Sequence, residues 1–150
     1  MSVAATVFSY PFRYLGGDDV IIDLMGATEL GDMGLLAVIL ITIFILGFFI
    51  DWIEIVVITL PIFYPIISEL DFASYVGSEE LARVWVAVLI GLVLQSSFLT
   101  PPFGFALFFV KGAAPPEVRI ADIYRGAMPI VAMQMLGVGL VWVLPAIAVG

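Results

Sequence analysis

Apolar positions in this chain come in long unbroken blocks, and the polar positions gather into short stretches between them. The first block, GLLAVILITIFILGFFI, runs from Gly34 to Ile50; Asp51-Trp52-Ile53-Glu54 interrupts it, and IVVITLPIFYPIIS carries on to Ser68. Each arm has about 16 residues and as a helix rises roughly 24 Å, short of a hydrocarbon core about 30 Å thick. Two arms too short to cross, joined by a tetrapeptide, predict a re-entrant hairpin over 34–68 whose tip lies inside the membrane. Gly47 lets that tip pack closely or bend, and Pro61 and Pro65 are expected to break the returning arm beside Thr59. An acid inside a membrane segment costs several kcal/mol unless it is paired, protonated or wet, so Asp51 is a functional candidate, with Glu54 on the same helical face. The plainer reading is two thin spans with both acids in water at a surface turn.

The block from Val86 to Val110 is long enough to cross, yet its middle reads Gln95-Ser96-Ser97-Phe98-Leu99-Thr100-Pro101-Pro102-Phe103-Gly104. Adjacent prolines supply no backbone N–H and clash with the preceding turn, at about 3 kcal/mol for an interior proline. Pro101 also disfavours helix at Thr100, and Gly104 frees the direction in which the chain resumes. Carbonyls near Phe98 to Thr100 therefore lose their normal partners. Broken backbone at membrane depth must be enclosed by protein or line a wet cavity. Freed carbonyls beside the Ser96, Ser97 and Thr100 hydroxyls are what hard monovalent cations bind, and discontinuous helices mark transporter sites. A proline kink in a structural helix is the bland alternative.

The rest of the chain sets the topology. Residues 1–33 form an N-terminal segment and acidic linker, with Asp18, Asp19, Asp23, Glu29 and Asp32 read most simply as a solvated face. Residues 69–83 form a second polar connection in which Ser78-Glu79-Glu80 predicts a helix start. The membrane domain is placed at 34–150: hairpin 34–68, broken span 84–110 and a last span 128–149 with Pro129 at its start. By parity, 16–33 and 69–83 share one face and 111–127 lies opposite. Lys111, Arg119 and Arg125 in that loop make it cytoplasmic by the positive-inside rule.

Composition confirms the class and removes others. The chain of 150 residues is 63% hydrophobic and 12% charged, with a mean hydropathy of +1.23, against roughly 25% charged in soluble domains. It is predicted to be an all-α polytopic membrane protein. Thirteen acids against five bases, a net charge of −8, argue against nucleic acid as a partner. The absence of cysteine and histidine excludes disulfides, thiolate nucleophiles and a His-based triad. No Gly-x-Gly-Asp, His-Glu-x-x-His or Gly-x-Ser-x-Gly arms the acids, so no enzyme and no cofactor is expected. The opening MSVAATVFSYPF lacks a basic n-region and a cleavage pattern, so no signal peptide is expected.

A hairpin with an acid at its tip beside a discontinuous helix is one half of an inverted-repeat transporter. The residues carry a resemblance to match. Gly47-Phe48-Phe49-Ile50-Asp51, Thr59-Leu60-Pro61-Ile62-Phe63-Tyr64-Pro65, the stretch Gln95 to Phe108, and Ile123-Tyr124-Arg125-Gly126 with Pro129 closely resemble the C-terminal part of the DctM-type large membrane subunit of TRAP (tripartite ATP-independent periplasmic) transporters. The opening Ala5-Thr6-Val7-Phe8-Ser9, Arg13 and Leu15-Gly16-Gly17-Asp18 extend that resemblance over nearly the whole chain.

The resemblance implies sodium-coupled secondary uptake of organic acids in the bacterial inner membrane, by a multi-pass permease with an elevator-like moving domain. It implies a small membrane subunit and a periplasmic substrate-binding protein as partners. Family members run to about 400 residues with both repeats, so this chain corresponds to roughly the last third and would need the missing N-terminal repeat. On this reading Ser96, Ser97, Thr100 and the carbonyls around Leu99 are the sodium ligands, with Pro102 and Gly104 holding the backbone open. Gln95, Thr100 and Asp51 are the substrate-side candidates. A non-transporting membrane scaffold or assembly subunit is the alternative. No arginine lies deep in a span to clamp a carboxylate, so the residues do not name the substrate.

Overall fold

The computed structural model describes residues 31–49, 52–100 and 105–150, and every structural statement concerns those residues. The N-terminal segment and nearly all of the acidic linker, the tip residues Ile50 and Asp51, and Pro101 to Gly104 lie outside them. Among the described residues the chain is all-helical. α1 is Asp32–Leu46, α2 Trp52–Glu54, followed by a π-helical turn at Ile55–Thr59 and α3 at Leu60–Glu69. α4 is Ala73–Val76, α5 Glu79–Leu99, α6 Phe105–Ala113, α7 Ile120–Val143 and α8 Ala146–Val149. α5 and α7, of 21 and 24 residues, are each long and apolar enough to cross a membrane.

Helices lie over both apolar stretches of 34–68, and prolines shape the second differently from expectation. α1 ends at Gly47, where the Phe48 N–H donates to the Ile45 carbonyl at 3.1 Å and the Phe49 N–H to the Leu46 carbonyl at 2.9 Å. The returning arm is not broken at Pro61 and Pro65; helix runs through both. A wider turn precedes Pro61: the Leu60 N–H reaches the Ile55 carbonyl, five residues back. That widening relieves the clash between the proline ring and the carbonyl four residues before it, so the helix survives with a π turn in place of a break.

α5 starts where the acidic connection predicts. Gly77, at φ 113°, closes α4 in the left-handed region, and the Ser78 hydroxyl accepts the Leu81 N–H at 3.3 Å with Glu79 and Glu80 in the first turn. α5 stops at Leu99 because Thr100 is extended, at φ −86° and ψ 127°, the conformation a following proline imposes. α7 begins at Ile120, eight residues before the apolar block expected from 128. The Asp122 carboxylate draws it back by accepting the Arg119 N–H at 3.2 Å. Pro129 therefore sits inside the helix and leaves the Arg125 carbonyl without its usual donor. Leu144-Pro145 ends the helix before the predicted limit at 149.

Four contacts orient these helices. The Asp71 N–H donates to Asp32 Oδ2 at 3.1 Å, at the starting ends of α1 and α5, and Gly47 abuts Ser97 at their finishing ends. The two helices thus run parallel and pack directly on each other. The Trp85 indole Nε1 donates to the Val141 carbonyl at 2.7 Å, and the Tyr75 hydroxyl donates to the Trp142 carbonyl at 2.9 Å, so α7 runs antiparallel to α5. Trp85, fully buried, is ringed by Phe72, Tyr75 and Trp142 at centroid distances of 5.5, 5.6 and 5.9 Å. Leu36, Ile43, Ile55 and Leu89 join it in one core in which α1, the returning arm and α5 meet. Measured from the Trp85–Val141 contact, α7 overshoots the end of α5 by about seven residues, roughly 10 Å. α6 packs against both α5 and α7.

Candidate functional site

The site is built where the end of α1 meets the end of α5. A Cβ placed on Gly47 would lie 2.6 Å from Ser97 Cβ and closer still to its hydroxyl oxygen. Real Cβ atoms do not approach so closely, so only glycine lets the end of α1 sit on the last turn of α5. Ser97 is three residues before Thr100, the extended residue that ends α5. Residues some fifty positions apart share one place.

Ser96 and Ser97 are fully buried, the two polar side chains in an otherwise apolar set of buried residues among those described. Each hydroxyl gives its proton to its own helix: Ser96 Oγ donates to the Leu92 carbonyl at 2.8 Å and Ser97 Oγ to the Leu94 carbonyl at 2.8 Å. Thr100 Oγ1, half-buried, donates to the Ser96 carbonyl at 2.6 Å. Each oxygen keeps its lone pairs once its proton is committed. The cluster is thus electron-rich, and the two prolines of the sequence withhold further N–H donors. Such a cluster suits a small hard cation, which takes hydroxyl and carbonyl oxygen as ligands.

Other predicted residues fall differently. Leu99 is half-buried and is the last residue of α5, next to the extended Thr100. Gln95 is exposed, on the side of α5 away from the serines; it is free to meet a ligand or a further protein surface that this chain does not itself supply. Asp51, Pro102 and Gly104 lie outside the described residues. One polar group was missed by the sequence reading. Gln134, midway along α7, has its side-chain oxygen shielded from solvent and without a hydrogen-bond partner. A lone amide in the run from Met128 to Val149 was the available signal.

At the opposite end of α5 a cavity of about 280 Å³ is lined by Tyr64, Glu69, Asp71, Glu79, Arg83 and Val86. It opens among the polar connections, where Glu79 and Arg83 form an exposed ion pair at 3.6 Å. Most of the length of α5 separates it from the break.

Comparison with known proteins follows the same lines. Residues 2–147 match the family described as "Tripartite ATP-independent periplasmic transporter, DctM component". The chain is 30% identical over 135 residues to the ectoine/5-hydroxyectoine TRAP transporter large permease protein UehC of Ruegeria pomeroyi, covering 90% of this chain and 29% of that protein. It is 28% identical over 141 residues to the ectoine TRAP transporter large permease protein TeaC of Halomonas elongata, covering 94% of this chain and 30% of that protein. The chain thus spans about three tenths of the length of these relatives. No solved structure matches it.

Proposed function

Because this chain belongs to the DctM component family of tripartite ATP-independent periplasmic transporters, we propose that it forms the C-terminal, cation-binding part of a sodium-coupled permease for organic acids. The observation that carries this reading is the close approach of Gly47, at the end of α1, to Ser97 in the last turn of α5. Three further features support it. α1 ends beside Ser97, while α7 begins about 10 Å beyond the end of α5; a re-entrant tip inside the bilayer fits that arrangement. The buried hydroxyls of Ser96 and Ser97 present lone pairs with their protons already spent. The Asp71–Asp32 bond holds the starting ends of hairpin and span on one face.

On this reading Ser96, Ser97, Thr100 and the Leu99 carbonyl take up sodium, and Pro102 and Gly104 keep the backbone open. Asp51 orients the tip or offsets cation charge, and Gln95 and Thr100 face the substrate. Sodium binding orders the interrupted segment, and the ordered segment binds substrate better; that difference in affinity is the coupling. The chain lies in the bacterial inner membrane with the remaining repeat of the large subunit and a small membrane subunit, and a periplasmic binding protein delivers the substrate. Ectoine, named in both relatives, is the first compound to test.

The test is sodium-dependent uptake by the assembled transporter carrying Thr100→Ala or Pro102→Ala. Each is expected to raise the sodium concentration for half-maximal uptake about tenfold, the loss of roughly one hydrogen-bond-sized interaction. Unchanged sodium dependence in both removes the site from this segment. Because the chain covers about three tenths of its relatives, a scaffold role is the second reading. Co-expression with the missing portion separates them: restored uptake supports the carrier, and stable assembly without uptake supports the scaffold.

A further inference from the structure

We propose that Gln134 supplies an amide-oxygen ligand to the coupling cation, so that the site is shared between α5 and α7; this rests on the cation-binding reading above. The starting point is an anomaly. Gln134 Oε1 is shielded by this chain's own atoms and accepts no hydrogen bond, although an unpaired buried amide costs on the order of 1–3 kcal/mol and more in hydrocarbon.

Helix geometry identifies what it faces. Val141, seven residues on, sits against Trp85 of α5, and seven residues make nearly two whole turns, so Gln134 lies within about 20° of the same face of α7. Buried Ala127 and Val131 lie along that face too. Ser96 is eleven residues beyond Trp85, close to three whole turns, and so lies within about 20° of the Trp85 face of α5. The two polar residues therefore occupy facing stripes of antiparallel helices. Along the axis, their Cα levels differ by about one turn, roughly 6 Å. Side chains lean toward the N-terminus of their own helix. In antiparallel helices that brings these two toward each other, and the Ser96 hydroxyl is drawn that way by its bond to the Leu92 carbonyl at 2.8 Å.

What results is two oxygens with lone pairs to spare, the N–H bonds of the Gln134 amide being on its other atom. The Ser96 proton is committed to Leu92, and an amide oxygen has only lone pairs to offer. α5 carries no basic residue nearer than Arg83, and none lies in α7 beyond Arg125. A hard monovalent cation satisfies both oxygens at once, and the pairing of Gln134 with Ser96 explains why an amide is retained in an apolar helix.

The experiment measures sodium binding directly in the detergent-solubilised, assembled transporter, by sodium-dependent thermal stabilisation and by the fluorescence of Trp85 and Trp142. Gln134→Met keeps the length of the side chain without the oxygen, and Gln134→Glu keeps an oxygen. Gln134→Met is expected to weaken sodium binding at least tenfold and Gln134→Glu to hold it within about threefold, with substrate affinity at saturating sodium unchanged in both. A Gln134→Met protein that binds sodium like the wild type overturns the proposal. So does equal loss in Gln134→Glu, which would make the amide a packing group. A wild-type protein indifferent to sodium removes the cation-binding reading itself, and this inference with it.

Discussion

Gly47→Ala is expected to lower sodium-coupled uptake by at least an order of magnitude while the protein still inserts and assembles. The added methyl would fall 2.6 Å from Ser97 Cβ, so the end of α1 has to lift away from the last turn of α5. Overpacking of this kind costs about 1–3 kcal/mol, and a displacement near 1 Å at a binding centre is enough to cost about 100-fold in rate. The second-site change Ser97→Gly removes the obstructing atoms. The double variant is expected to recover thermal stability but not sodium affinity, because the Ser97 oxygen is then gone. Thermal unfolding and sodium titration of the two single variants and the pair check this. A neutral Gly47→Ala would mean that tip and span do not touch.

Trp85→Ala is expected to loosen the whole assembly of α5 and α7 and to be the most destabilising single change among the described residues. Trp85 is fully buried, contacts three aromatic rings and ties α7 to α5 through the Val141 carbonyl. Truncating a buried tryptophan costs about 3–5 kcal/mol, and the abandoned carbonyl adds to it. Trp85→Phe retains most of the packing and loses the indole donor, at about 1–3 kcal/mol for the unpaired group. Thermal unfolding in detergent should rank the two in that order. Equal stability for both would assign the whole effect to the hydrogen bond.

The parts of the fold legible in the sequence were those set by backbone chemistry. Pro101 and Pro102 announce the end of α5, and Ser78-Glu79-Glu80 announce its beginning, because capping and proline restriction act within a few residues. Gly47 stood out as a point of close approach, but its partner Ser97 is a tertiary fact that no local rule supplies. Pro61, Pro65 and Pro129 misled for the converse reason. A π turn accommodates the first, and at the other two the surrounding helix outweighs one missing bond. Which of three neighbouring polar residues faces inward was equally hidden. Gln95 is exposed while Ser96 and Ser97 are buried, and that phase depends on where α1 and α7 pack. Gln134 was overlooked because its significance comes from the helix opposite.

The account rests on the hairpin tip lying inside the membrane against the interrupted helix. The chain has no cysteine of its own, so a single Asp51→Cys substitution in the assembled transporter gives a clean probe for a membrane-impermeant thiol reagent applied from each side. The account predicts slow labelling that sodium and substrate together suppress further. Rapid labelling from one side, indifferent to both, would place Asp51 in open water at a surface turn and contradict it.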